Sequence, residues 1–219
     1  MKIVPRHCTL TLNLPGDVRF PFIPVMHSIS DVVGKVLSGE PFLVSFPADV
    51  VKGVPIVFWP HPGTGSFSLG DSKIEMSLDW KDDVVFEQRV MEVCTQLTER
   101  LAVAHTIAMQ RISAYLKCEV QDGLALDAFA QKYCNPTVVG DIQQIQMSWK
   151  TLVDVHGSAF ERWIRYVSNP RTKLIDEMAV EYSTPSSGDF LVGNKAVDAA
   201  KAVLSSVWRE ASGIDTFRP

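Results

Sequence analysis

The sequence lacks the local signals that identify several classes of protein. Its 219 residues include 21 lysines and arginines against 25 aspartates and glutamates, and no run of basic residues occurs. Binding through phosphate neutralisation needs clustered positive charge, so the sequence predicts no nucleic-acid partner. The longest apolar runs, such as 56–59, are far too short to cross a bilayer, and no membrane association is predicted.

Cysteine is scarce, and the four that are present lie far apart. Cys8, Cys94, Cys118 and Cys134 include no C-x-x-C pair, which argues against a zinc knuckle or a thioredoxin-type site. The N-terminus has no apolar stretch before a small-residue cleavage site, so no secretory signal is predicted. Four free thiols, a cytoplasmic location, no metal and no cofactor are the resulting predictions.

Alternation of apolar and polar residues indicates strands in much of the chain. The pattern is clearest in 73–80, "KIEMSLDW", where every second side chain is apolar. Two shorter segments are apolar throughout, as in strands buried on both faces. The predicted strands are 8–14, 41–46, 54–59, 73–80, 110–120, 144–155 and 174–182.

Apolar residues at intervals of three and four predict the helices. A long helix follows Asp82 or Asp83, and a second one ends at Gly213. Shorter helices are predicted at 28–39 and at 159–167, "AFERWIRYV". The apolar stripes of the two long helices are Phe86, Val90, Cys94, Leu97 and Leu101, and Val197, Ala200, Leu204, Val207 or Trp208, and Ala211.

Strands outnumber helices and occur in runs, which favours an α+β fold with a mainly antiparallel sheet and two long amphipathic helices. A single domain, 1–219, is predicted. Both halves run from strands to a long helix, and "KIEMSLDWK" echoes "QIQMSWK". An internal duplication with strand-strand-helix halves, about 1–122 and 123–219, is therefore an open alternative.

The segment 59–73, "WPHPGTGSFSLGDSK", is rich in glycine, proline and hydroxyl groups. A phosphate-binding loop of the G-x-x-x-x-G-K-[ST] type needs a lysine after the second glycine, but Asp71 stands there. A predicted strand follows where an anion site requires a helix N-terminus. The segment is therefore predicted to be only a turn between strands.

Catalytic signatures are equally sparse. Asp154 and His156 lie two residues apart on a predicted strand, a spacing that places a carboxylate and an imidazole on one face. With His61, which lies between two prolines, they are the residues of an alternative hypothesis, a hydrolase-like enzyme acting on small molecules. No G-x-S-x-G nucleophile motif occurs.

The central part of the chain resembles a known family. Trp80, a helix carrying Phe86 and then "QRISAYLKCEV" resemble a sporadically distributed bacterial family of about this length. The resemblance covers about 40 central residues and the terminal helix, while the N-terminal half departs from the family's opening. The family has no assigned activity, so the resemblance implies no chemistry.

Large apolar residues in and near predicted loops support the main functional hypothesis. Trp59, Phe67 and Phe190 are typical of contact surfaces, so a non-enzymatic binding or regulatory protein is predicted. It would act through its sheet surface or an oligomeric interface. Segment 144–155 carries few charges and no proline, so self-association through this strand, as a dimer, is predicted. A different protein partner is the alternative.

Overall fold

A computed structural model gives the fold. It describes residues 2–16, 25, 27–29, 31–32, 43–45, 56–59, 65–69, 72–79, 86–123, 125–133, 144–155, 157–186 and 189–213. Within these residues the chain forms an α+β fold dominated by one antiparallel sheet, as the sequence predicts.

Nine described strands form the sheet, in the order β2-β3-β4-β5-β1-β6-β9-β8-β7. Every neighbouring pair is antiparallel, and β7 lies at one edge. The N-terminal strand therefore lies in the middle. The strands are β1 Lys2–Asn13, β2 Leu43–Ser45, β3 Ile56–Trp59, β4 Gly65–Leu69, β5 Lys73–Asp79, β6 Arg111–Gln121, β7 Gln146–Val155, β8 Ser158–Asn169 and β9 Leu174–Ser183.

Among the described residues, the helices with defined bounds are α1 Phe86–Glu99, α2 Leu126–Tyr133 and α3 Asn194–Gly213. A π-helical turn, Arg100–Ala104, continues α1. Helix α3 packs against β6, β9 and α1, and the rings of Phe86 and Trp208 meet edge to face with centroids 5.7 Å apart. Residues 25, 27–29 and 31–32 are also helical. None of the described helices is long and apolar enough to cross a bilayer.

Alternation along the strands divides the sheet into two faces. The helical face carries apolar residues that pair across the central strands, such as Leu10 with Met76 and Ala114. These side chains and the stripes of α1 and α3 form one buried core. The opposite face, here called the open face, carries polar side chains, because successive residues of a strand project to opposite sides.

Segment 159–167 is a strand, so the predicted helix there is wrong. Its residues form most of β8, which pairs with β7 on one side and β9 on the other. Phe160, Ile164 and Tyr166 are buried at even positions, a period of two that also fits the helical spacing over so short a stretch. Hydrogen bonding to a neighbouring strand on each side stabilises the strand over the helix, and aromatic and β-branched residues pack well in a sheet.

The glycine-rich segment is more than a turn. Gly65–Leu69 forms β4, which pairs with β3 and β5, so the prediction of a mere turn is wrong for these residues. Gly65 has φ 144°, and a Cβ atom there would collide with the Ser77 carbonyl oxygen. The glycine therefore permits the close approach of β4 to β5.

The strand order bears on the duplication hypothesis. Outward from the β1–β6 pair, the sheet runs through β5, β4 and β3 on one side and through β9, β8 and β7 on the other. The echoing sequences lie in β5, beside the centre, and in β7, at the edge. Those two strands do not occupy equivalent places, and the duplication stays a prediction.

Candidate functional site

A cleft of about 540 Å³ opens at one end of the sheet. It lies between the turn that joins β7 to β8, the loop after β9 and the first half of α3. Its apolar lining includes Val155, Phe160, Leu191, Ala199 and Ala202. Phe160 is only 3% exposed and belongs to the core, so the cleft has a firm apolar floor.

Backbone hydrogen bonds fix the loop that forms one wall. Thr184 N donates to Ile112 O at 2.9 Å, and Leu191 and Met109 exchange both of their backbone hydrogen bonds at 2.8 and 2.9 Å. The start of the loop is thus hydrogen-bonded to β6, and its end is hydrogen-bonded to the residues just before β6. A wall anchored in this way gives the cleft a defined shape.

Helix α3 forms the other wall with one stripe of residues. Lys195, Asp198, Ala199 and Ala202 follow the spacing i, i+3, i+4 and i+7, which places them on one side of a helix. The two alanines make room, while Lys195 and Asp198 bring charge to the rim. Asp189, from the loop, adds a second carboxylate. Within the described part of the chain, no hydrogen bond or salt bridge engages these three charged groups.

One of the three predicted binding residues lies at this cleft. Phe190 lines it, and its side chain is 56% exposed. Phe67 is 3% exposed and packs in the core, which removes it from any binding surface. Trp59 ends β3, and its side chain lies outside the described residues. Lys195 and Asp198 were missed, although the alanines at 199 and 202 interrupt the polar side of α3 and signal a gap there.

The structure describes only one of the three residues of the hydrolase-like hypothesis. The Asp154 carboxylate accepts a hydrogen bond from Gly157 N at 2.9 Å, so it caps the turn between β7 and β8. His61 and His156 lie outside the described residues. Among the residues that are described, no group of three or more His, Cys, Asp or Glu side chains could hold a metal ion.

The open face carries a second polar constellation. Ser77, Thr9, Tyr115, Glu181 and Trp163 are direct cross-strand neighbours on five adjacent strands. All five are half-buried. They form a row across the middle of the sheet, on the side away from α1 and α3.

Beside this row lies an ionic network. Arg111 Nη2 donates to Glu161 Oε2 at 2.7 Å and to Ser183 Oγ at 2.6 Å. Lys150 Nζ lies 2.7 Å from the same Glu161 oxygen. The hydrogen bond from Lys150, with the charge of Arg111, lowers the pKa of Glu161. This carboxylate is therefore held in its ionised form.

Glu181 experiences the opposite environment. Burial is the main cause that raises its pKa, and the charge of Glu161 adds to the rise. Burial likewise raises the pKa of Tyr115, its cross-strand neighbour. Two carboxyl groups on one face thus have pKa values shifted in opposite directions, a pattern that acid–base sites also show.

No family model and no curated protein matches the chain, so the resemblance to a bacterial family stays a prediction. A solved structure titled as the rolling circle replication initiator protein from Geobacillus stearothermophilus is similar to it at 12% sequence identity. The similarity covers 94% of this chain and 80% of that chain, with a TM-score of 0.38.

This comparison corrects two predictions. A replication initiator is at odds with a non-enzymatic role at a sheet surface or oligomeric interface. It is also at odds with the predicted partners, which were a protein partner or self-association without nucleic acid. Both predictions are therefore wrong. A TM-score of 0.38 transfers no activity from that protein to this chain.

Proposed function

We propose that the protein binds a small molecule in the cleft beside α3. The observation that carries the proposal is a cleft of about 540 Å³ with an apolar floor and three charged groups at its rim. That volume lies within the range of small-molecule sites, which combine an apolar lining with a few polar groups that fix orientation. Neither the open face nor a subunit interface takes part.

The lining indicates the chemistry of the ligand. An apolar body of aromatic or aliphatic character fits against Phe160, Leu191 and the exposed ring of Phe190. An acidic group on the ligand pairs with Lys195, and the carboxylates of Asp189 and Asp198 accept hydrogen bonds from N–H or O–H donors. The proposed ligand is therefore amphipathic, with an acid and at least one donor.

A fluorescent probe tests the cleft. We expect 8-anilinonaphthalene-1-sulfonate, which has an aromatic body and one anionic group, to bind saturably at one site per chain. The variant Ala199→Trp fills the cleft and should weaken binding at least tenfold, as should Phe190→Ser, which leaves the core untouched. Lys195→Gln should weaken binding less, because it removes only the ionic contact. Fluorescence titration at constant ionic strength gives the dissociation constants.

Leu152→Ser is the matched control. Leu152 is 74% exposed but lies on the open face of β7, away from the cleft. Its replacement should leave probe binding unchanged. The proposal fails if Ala199→Trp and Phe190→Ser bind the probe as the wild type does, or if Leu152→Ser weakens binding equally.

We also propose a cytoplasmic location, supported by the thiols. Cys8, Cys94 and Cys118 are free and buried within one core. Burial raises the pKa of Cys94 and that of Cys118, the latter to about 12, so both groups are neutral and unreactive in the folded protein. Cys134 lies outside the described residues.

Thiol titration checks this location. Protein denatured without reductant should show four free thiols, since a reducing compartment keeps them unpaired. Before denaturation, the three buried thiols should not react. A count below four in denatured protein would contradict the cytoplasmic proposal.

A further inference from the structure

A chain of four side chains joined by hydrogen bonds crosses β1 and β5 on the open face. The Asp79 carboxylate lies 2.7 Å from His7 Nδ1, and His7 Nε2 lies 2.8 Å from Thr9 Oγ1. Thr9 Oγ1 is in turn 2.9 Å from Ser77 Oγ. The cross-strand register brings them together, because His7 pairs with Asp79 and Thr9 with Ser77.

The geometry gives each hydrogen bond a consistent direction. With the imidazole proton on Nδ1, His7 donates to Asp79 and accepts at Nε2 from the Thr9 hydroxyl. Ser77 then donates to Thr9 Oγ1. A carboxylate that orients an imidazole, whose other nitrogen accepts from a hydroxyl, is the arrangement by which proteins activate a hydroxyl nucleophile.

These four hydrogen-bonded side chains are accessible from solvent. The side chains of His7 and Asp79 are 31% and 46% exposed, and Thr9 and Ser77 are half-buried. Tyr115 lies across from Thr9 on β6, and burial raises the pKa of its phenol, so its hydroxyl stays a hydrogen-bond donor at neutral pH. A small electrophile can therefore approach Thr9 from the open face.

The described stretch His7–Asn13 lacks one part of a hydrolytic site, the oxyanion hole. Residues His7–Asn13 pair with β5 on one side and β6 on the other, so the ladders occupy their backbone amides. No such amide remains free on this stretch to stabilise a tetrahedral oxyanion, a contribution that accelerates acyl transfer by about 100-fold or more. Attack by Thr9 is thus expected to be slow, and the product to persist.

We propose that Thr9 is a covalent acyl-acceptor site for activated carbonyl compounds, namely aryl esters or thioesters. Thr9 Oγ1 forms a bond to the carbonyl carbon while its proton passes to His7 Nε2. The bond from the carbonyl carbon to the leaving group breaks, and a phenolate or thiolate departs with the electron pair. His7 then returns its proton to solvent, and Thr9 remains as an ester.

Mass spectrometry of protein treated with p-nitrophenyl acetate tests the proposal. Trypsin separates Thr9, in peptide 7–19, from Ser77, in peptide 74–81. One acetyl group on Thr9, released with one equivalent of p-nitrophenolate, is the expected result. His7→Gln should slow the labelling at least about 100-fold, the scale of general-base assistance. Asp79→Asn should slow it too, because the imidazole loses its orientation.

Two threonine variants make the test specific. Thr9→Val keeps the shape and should abolish labelling of peptide 7–19, whereas Thr9→Ser keeps the hydroxyl and should retain it. Thr11→Val is the matched control, because Thr11 lies two residues along on the same face and should not matter. Acetyl on Ser77 or on His7 in place of Thr9, no labelling of the wild type, or unchanged labelling in Thr9→Val would each overturn the proposal. None of these results depends on the cleft beside α3.

Discussion

Gly65→Ala is expected to lower the free energy of unfolding by about 3 kcal/mol. The added Cβ would collide with the Ser77 carbonyl oxygen and would lie 3.0 Å from Leu78 Cα. Both are backbone atoms of β5, so the contact is relieved only by moving β4 away from its neighbour. The φ angle of 144° adds backbone strain for any residue with a side chain. Urea denaturation followed by far-UV circular dichroism measures the change.

Two other glycines separate the steric contact from the strain. Gly157 has φ 80°, but no neighbouring atom lies within 4 Å of the place that a Cβ would take. Gly157→Ala therefore reports strain alone, about 1 kcal/mol. Gly213, at the end of α3, has open space and no positive φ, and its replacement should cost almost nothing. Equal losses for Gly65→Ala and Gly157→Ala would show that the approach of β4 to β5 does not matter.

Glu161→Gln and Glu181→Gln are expected to change stability in opposite directions at neutral pH. The pKa of Glu161 is lowered, so its carboxylate stabilises the fold above the unfolded-state pKa, and this contribution is lost as the pH falls through the folded-state value. Glu161→Gln should therefore cost about 2 kcal/mol at neutral pH, the scale of hydrogen bonds to a charged group. The Glu161 side chain is 19% exposed and that of its partner Lys150 is 58% exposed, so solvent screens part of this interaction.

The pKa of Glu181 is raised, and the sign reverses. Its folded state binds the proton more tightly than its unfolded state, so ionisation destabilises the fold as the pH rises through the folded-state value. Glu181→Gln removes this penalty and should raise stability at neutral pH. Both differences from the wild type should shrink towards about pH 3, where carboxyl groups become protonated.

Urea denaturation at several pH values checks the pair of variants. Glu75→Gln is the control, since Glu75 pairs with exposed Lys73 on the same face, and such surface pairs contribute about 0–1 kcal/mol. A loss of stability in Glu181→Gln at neutral pH as large as that in Glu161→Gln would contradict the assignment of opposite environments.

Much of the secondary structure follows from the sequence, because the spacing of apolar residues in the sequence matches the spacing of buried residues in the structure. The alternation in β1, β5, β6 and β7 survives in the structure as alternating exposure, and the stripes of α1 and α3 form the core. The helix prediction for 159–167 failed because nine residues fit both periods. The turn prediction for Gly65–Leu69 failed because glycine and serine have low strand propensity, which pairing on both sides overrides.

The sites depend on distances in space that no local pattern encodes. His7 and Asp79 are 72 residues apart in the chain, and only the register of β1 with β5 brings them together. The cleft likewise could not be predicted from a local pattern, because its lining includes residues of β8, the loop after β9 and α3. Phe190 was predictable, since a large aromatic residue in a polar loop stands out. The position of Lys195 beside the cleft was not predictable, because charge on the outer side of a helix is ordinary.

The central position of β1 has a consequence for synthesis of the chain. Strand β1 is synthesised before both of its partners, which begin at residue 73 and at residue 111. Until β6 is made, one edge of β1 stays open to strands of other nascent chains. A translational pause before β6 has left the ribosome should therefore reduce the yield of folded protein more than an equal pause after β6 has closed that edge.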